Sequence, residues 1–287
     1  MHTSIAGSLD RAAVRAAELG ANAFQIFSSS PRMWRSRVPQ PEEIRRLRQL
    51  RERFDLYPLV VHDNYLINLA AADPRIRARS VAAFRAEVER ALLVGAEYLV
   101  LHPGSCRGQS LEAGIRTLAA SLQQATRGLR RDGLTLLLEN TAGSGCALGS
   151  RFEELAEIRR LCSGLEFPVG YCLDTAHCLA AGYDVASEAG LRATLRQASA
   201  VLGLEAIPVI HANDSKAPLG SRVDRHEHIG KGYIGKQGFR RILNHPRLRS
   251  KAFILETPIE RDGDDRRNLE ALKNLCRKSR TTTGRSS

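Results

Sequence analysis

The chain has 287 residues, 43% of them hydrophobic and 26% charged, with 43 Lys and Arg against 31 Asp and Glu for a formal charge of +12. These proportions are ordinary for a soluble globular protein of one large domain, and no apolar run is long enough to cross a bilayer, which excludes a membrane-embedded function. The opening MHTSIAGSLDRAA lacks the basic-then-apolar build of a signal peptide and the six cysteines form no CxxC pair, so a cytoplasmic protein with reduced thiols is expected, without disulfides or cysteine-held zinc.

In chain order, residues 8–19 read as a helix capped by Ser8 and closed by Gly20. A strand follows over 23–28, then the basic loop SSPRMWRSR and an arginine-rich helix over 41–54. The pattern repeats: strand 59–62, helix 73–95, strand 98–102, helix 109–129, strand 134–140, helix 151–162, strand 169–174 and helix 186–202. Strand 207–211 leads into a long loop over 212–237, and strand 252–256 precedes a final helix over 266–278. Residues 279–287 are polar and basic and are expected to be a disordered tail. The strands are short and continuously apolar, as in a parallel sheet covered by helices. With residues 1–5 supplying a short first strand, the expected fold is α/β, a (β/α)8 TIM barrel forming one catalytic domain over 1–278. An open doubly wound sheet is the alternative, but no GxGxxG loop follows the first strand.

The strands end in His62, His102, Glu139, Asp174, His211 and Glu256. In a barrel of this kind all strand C-termini open on one mouth, which carries the active site. His177, Asp224 and His226 fall in loops on the same side. Any one of these residues has an ordinary structural reading; Asp174, for instance, reads equally as the cap of a following helix. Together they crowd carboxylates and imidazoles that cations would compensate. Ligands limited to His, Asp and Glu favour zinc or manganese, and the set is large enough for two or three ions. Such centres serve in-line phosphoryl displacement, and with a basic protein the residues suggest a phosphodiester substrate. Mouth-side loops carry Arg32, Arg35, Arg37, Arg107, Lys216, Arg222, Arg225, Lys231 and Lys236, whereas the arginines of 45–53 and 127–131 read as solvated outer surface. Trp34, Tyr65 and Leu66 suit either a wedge into a stacked duplex or plain loop packing.

HDNYLINLA, LHPGS, LLLENTAGSG, LDTAHCLAAGYD, HANDSKAPLGSRVDRHEHIGKGYIG and ILETP together resemble the endonuclease IV family of apurinic/apyrimidinic endonucleases, over nearly the whole chain. The resemblance implies a barrel with three Zn2+ ions, with Mn2+ acceptable at one position, acting as a monomer on double-stranded DNA that contains abasic sites. It implies hydrolysis 5′ to the lesion in base excision repair, leaving a 3′ hydroxyl and a 5′ deoxyribose phosphate, and extends to 3′-end repair. His62 and His102 would hold one zinc, with Glu139 bridging to a second completed by Asp174, His211 and Glu256. His177, Asp224 and His226 would hold the third. Glu139 and Glu256 are the expected catalytic carboxylates, and Arg32, Trp34, Tyr65, Leu66, Lys216 and Arg225 the expected DNA contacts. The chain departs from the family in its short first strand and in Ser8, where a second glycine is usual. A metal-dependent sugar isomerase or epimerase, or a non-catalytic damaged-DNA-binding protein, is the alternative function.

Overall fold

The computed structural model describes residues 1–30, 33–34 and 37–277. Seven parallel strands form one sheet: β1 (Phe24–Phe27), β2 (Leu59–His62), β3 (Tyr98–Leu101), β4 (Thr135–Glu139), β5 (Val169–Asp174), β6 (Val209–His211) and β9 (Ala252–Ile254). Met1–Thr3 takes the eighth position. Gln25 N donates to Met1 O at 2.9 Å and Thr3 N to Gln25 O at 2.8 Å on one side, and His2 N donates to Leu255 O at 2.9 Å on the other. The expected barrel with a short first strand is thus borne out, the first strand being reduced to one bridge, His2 to Gln25.

The helices are α1 (Asp10–Leu19), α2 (Pro41–Phe54), α3 (Pro74–Val94), α4 (Leu111–Thr126), α5 (Phe152–Leu161), α6 (Thr175–Ala181), α7 (Glu188–Val201), α8 (Gly235–Asn244) and α9 (Asp264–Leu275). Local chemistry starts most of the outer ones: Asp73 accepts from Arg75 N at 2.7 Å ahead of Pro74, and Ser110 and Ser187 cap α4 and α7. Ser8 does not cap α1 as expected; Leu9 sits at the N-cap, and the Ser8 carbonyl rather than its hydroxyl accepts from Arg11 N. The loop expected over 212–237 contains a small antiparallel hairpin, β7 (Asp214–Ser215) with β8 (His226–Glu227), and runs into α8. Helix α8 was missed because it is short and glycine-interrupted, yet it buries Gly238, Phe239, Ile242 and Leu243 on one face.

Alternation along the strands divides the core in two. Ala23, Val60, Val100, Leu137, Cys172, Val209 and Ile254 fill the barrel interior. Their neighbours Leu59, Val61, Leu99, Leu101, Leu136 and Leu138 face outward into the helix layer. Each fully buried Leu or Val contributes about 1.5–3 kcal/mol of burial, so the strand ends sit on a stiff support. Arg51 departs from the solvated-surface expectation. It is buried, pairs with Glu97 at 2.7 Å and donates to Gly95 O at 2.7 Å, while Glu97 accepts from Leu59 N at 2.7 Å. Among the described residues, no helix is long and apolar enough to cross a membrane. Residues 278–287, including the expected tail, lie outside the described residues.

Candidate metal centre

Parallel register carries the strand-end side chains to one mouth. His62, Glu139, Asp174 and His211 are the last residues of β2, β4, β5 and β6, and Asp174 is directly opposite His211 in the ladder. His102 follows β3 immediately and Glu256 lies just beyond β9. Residue His177 comes from the first turn of α6, and His226 from β8.

Ligand-type atoms lie within 4.8 Å of one another in each of three groups: His62, His102 and Glu139; Glu139, Asp174, His211 and Glu256; and Asp174, His177 and His226. Glu139 and Asp174 each belong to two groups, so the three are contiguous. Glu139 is fully buried. Its Oε2 is 3.1 Å from His62 Nε2 and 3.5 Å from His102 Nε2, and its Oε1 is 2.9 Å from His211 Nδ1. Asp224 stands at the edge of the third group, half exposed, with Oδ1 3.2 Å from His177 Nε2 and 3.6 Å from His226 Nε2.

Four of the imidazoles share one design. His62 Nδ1 is held by the Asp63 carbonyl at 2.9 Å, His177 Nδ1 by the Asn140 carbonyl at 2.9 Å, and His226 Nδ1 by the Glu256 carbonyl at 3.2 Å. For His211 the holder is Gln25 Oε1, 2.8 Å from Nε2. In each case the acceptor takes the ring N–H, and the other nitrogen turns toward the carboxylates. This is how a metal-ligating histidine is oriented from behind. His177 Nε2 and His226 Nε2 are buried and make no hydrogen bond among the described residues. Lone pairs aimed at carboxylates in a buried site call for a cation, so the donor set fits divalent ions bound through nitrogen and oxygen. Sulfur is near but inert: burial pushes the Cys172 thiol up to about 12, which keeps it protonated beside His211.

The charge state of the protein alone follows from the same crowding. Burial opposes the charge on His62, but Glu139, then Glu256 and Asp63, overcome it and raise the pKa to about 9. His177 and His211 are likewise raised against burial, by Asp174, Asp224 and Glu139 at His177, and by the Glu256 and Glu139 carboxylates at His211. Glu139 is held well below the usual carboxylate range despite its burial, by His211, His102 and His177.

Sequence reasoning missed the residues that hold these imidazoles and carboxylates in place. Asn140 Oδ1 accepts from Asp174 N at 2.7 Å, and Asn213 Nδ2 donates to Asp174 Oδ2 at 2.6 Å while its Oδ1 accepts from Glu256 N at 2.8 Å. Gln25 donates to Glu256 Oε1 at 2.5 Å. The one available signal was polarity out of place, as in the single Gln within the apolar run AFQIF. Asp174 satisfies both of its sequence readings: Oδ1 caps α6 through His177 N at 2.8 Å, and Oδ2 is 3.5 Å from His226 Nε2. Asp214 was also missed. Buried at the base of the rim, it accepts from Gly230, Gly232 and Ile234 N–H at 2.9–3.0 Å and draws the GKGYIG loop around itself. Gly232 has no alternative there, because a Cβ would meet Ser215 O at 2.3 Å.

Around the mouth, Tyr65 is 63% exposed and lines two cavities. One, of about 600 Å³, reaches His2, Phe27, His226 and Glu256; the other, of about 340 Å³, reaches Asn68, His102 and Asp224. The Tyr65 ring rests edge-on against Phe27 with centroids 5.1 Å apart. Leu66 is half-buried, with its N–H donated to Asn64 Oδ1 at 2.8 Å. Trp34 is half-buried beneath the Arg79 guanidinium, 4.2 Å from the ring centroid. Lys216 and Arg225 are exposed and face each other across the β7–β8 hairpin, Lys216 N donating to Arg225 O at 2.9 Å. Arg32 and Arg35 lie outside the described residues.

A closed parallel barrel whose C-terminal mouth gathers histidines and carboxylates into contiguous groups is a TIM-barrel protein with side chains that could hold metal ions there. The family description "Xylose isomerase-like TIM barrel" fits residues 13–277. A protein of Solibacter usitatus named "Probable endonuclease 4" is 60% identical over 277 residues, covering 96% of both chains. The crystal structure of endonuclease IV from Thermus thermophilus superposes with a TM-score of 0.84 at 40% identity, covering 96% of this chain and 97% of that one. The chain therefore belongs to the endonuclease IV family. A D-tagatose 3-epimerase-like protein shares the fold alone, with a TM-score of 0.70 at 21% identity over 96% of both chains.

Proposed function

We propose that this chain is a metal-dependent DNA repair endonuclease that hydrolyses the phosphodiester 5′ to an abasic site in duplex DNA. It leaves a 3′ hydroxyl and a 5′ deoxyribose phosphate, the incision step of base excision repair, and the same centre would clear blocked 3′ ends. What supports this reading is the contiguity of the three ligand groups through Glu139 and Asp174, in a chain 60% identical to a named endonuclease 4.

His62, His102 and Glu139 would hold one zinc; Glu139, Asp174, His211 and Glu256 a second; His177, His226 and the nearby Asp224 a third. Bound there, divalent ions supply Lewis acidity that activates water at neutral pH and offsets charge on the attacking and leaving oxygens. Glu139, with Oε2 beside His62 and His102 and Oε1 beside His211, would help to hold both of the first two ions. Glu256 and Asp174 arrive pre-aligned, because Asn213 holds them both. Tyr65, exposed between two cavities beside the centre, would fill the gap left by the missing base, and Leu66, Arg32 and Trp34 would join it in contacting the DNA. An abasic nucleotide is the least costly to turn out of the stack, so exposure of the lesion is itself selective. Lys216 and Arg225 at the rim would receive backbone phosphates. One chain contains the whole centre, so a monomer suffices.

The test is incision of a duplex carrying one abasic analogue, before and after chelation and with zinc restored. Chelator-sensitive cleavage immediately 5′ of the lesion is expected. A folded, zinc-replete protein that leaves the duplex intact would refute the proposal and make a panel of ketose and aldose sugars the next substrates.

A further inference from the structure

Gln25 is a fully buried polar side chain in the middle of β1, where the barrel otherwise takes apolar residues. Its amide touches three groups of the mouth. Oε1 is 2.8 Å from His211 Nε2, and Nε2 is 2.5 Å from Glu256 Oε1 and 3.0 Å from His2 Nδ1. Only one orientation of the amide is consistent with these neighbours. An ionised carboxylate accepts and cannot donate, so the NH2 must face Glu256. The carbonyl then faces His211, whose Nε2 must carry the hydrogen. In the neutral ring the lone pair is consequently on Nδ1, which lies 2.9 Å from Glu139 Oε1 and 3.2 Å from Glu256 Oε2. The same amide engages Glu256 Oε1 from behind and leaves Oε2 toward the centre.

We infer that Gln25 is a positioning residue that sets the ligating tautomer of His211 and restricts Glu256 to coordination through one oxygen, Oε2. The inference rests on the reading of Glu139, Asp174, His211 and Glu256 as one metal site. His211 comes from β6 and Glu256 from beyond β9, on adjacent strands, and the Gln25 amide reaches both from across the short Met1–Thr3 segment. Because Gln25 is sealed from solvent, it acts on the centre and not on DNA.

The experiment uses full-length protein, stripped by chelation and titrated with Zn2+ against a chromogenic chelator, for the wild type and Gln25→Met. Methionine conserves volume and removes all three hydrogen bonds of the amide. Loss of an oriented partner behind a ligand costs 10–100-fold in metal affinity, so one zinc per chain should weaken by about that factor while the others stay unchanged. KM for abasic duplex at saturating zinc should be unaltered. Histidine-selective nitrogen-15 spectra supply a readout that needs no variant of Gln25: zinc-loaded wild type should show His211 protonated at Nε2, the resonance being assigned by its loss in His211→Gln. A His211 protonated at Nδ1, or a folded Gln25→Met protein with wild-type affinity at every site, would overturn the inference. Wild-type protein that takes up no zinc would overturn it together with the metal-site reading, a result distinct from a loss confined to the variant.

Discussion

Asp214→Asn tests how the rim of the mouth is held together. The carboxylate divides its donors: Oδ1 accepts from Ser215 N and Ile234 N, each at 2.9 Å, Oδ2 from Gly230 N at 2.9 Å and Gly232 N at 3.0 Å, and Gly235 N is shared between the two oxygens at 3.4 and 3.2 Å. Asparagine keeps one oxygen and turns an NH2 against the other pair of N–H donors, so two bonds are lost whichever way the amide sits. Hydrogen bonds to a charged acceptor contribute about 1.5–3 kcal/mol each, which makes the gross loss about 3–6 kcal/mol. Part is recovered because the amide can turn its NH2 toward Gly230 and Gly232, which are half-buried and within reach of water, leaving about 3 kcal/mol. At roughly 2 °C per kcal/mol for a chain of this size, the melting temperature should fall by about 6 °C. Scanning calorimetry measures the shift, and hydrogen exchange should show the Gly230 and Gly232 amides losing protection first. A variant melting within about 1 °C of wild type, with those amides still protected, would refute the idea that Asp214 organises the loop.

Glu256→Gln keeps the shape of the side chain and removes its charge; incision should fall about 10³-fold, equivalent to about 4 kcal/mol of lost charge stabilisation, with affinity for abasic duplex within about twofold. Wild-type turnover would remove Glu256 from the centre. Tyr65→Ala should weaken binding of the abasic duplex by about tenfold without changing zinc content, since aromatic stacking contributes about 1–3 kcal/mol per base; unchanged affinity would argue against the wedge. In metal-free protein His62 is raised to about 9, so the stability it contributes is complete below its ordinary 6.5 and is lost as the pH climbs through 9. Zinc uptake by the chelated protein at pH 8 should therefore release protons, detected by titration calorimetry in buffers of different ionisation enthalpy, and zero release would contradict the raised pKa.

The barrel and the residues at its strand ends were legible because both rest on local patterns. A short apolar run ending in a polar side chain specifies a strand and its terminus, and parallel strands place their termini on one side whatever the loops do. The helix entry at Asp73–Pro74 was legible for the same reason, the cap and the capped N–H being within three residues of each other. Where local signals were weak, the reading failed: α8 is hidden among glycines, and Ser8 has the right chemistry at a position the backbone does not use.

By itself, then, the sequence determined the order of elements, the side of the barrel that carries chemistry, and a set of imidazoles and carboxylates directed to it. Only tertiary structure decided which of these touch. Barrel curvature brings His62 and His211 to opposite oxygens of Glu139 although they lie 77 and 72 residues from it in sequence. Curvature also decided that Asp174 would both cap α6 and face His226, that Arg51 would be buried against Glu97 within an otherwise solvated arginine run, and that Gln25 would point inward to set the tautomer of a histidine 186 residues away. The physical reason is range. Propensity, capping and alternation act over a few residues, whereas ligand geometry depends on the register and closure of the whole sheet.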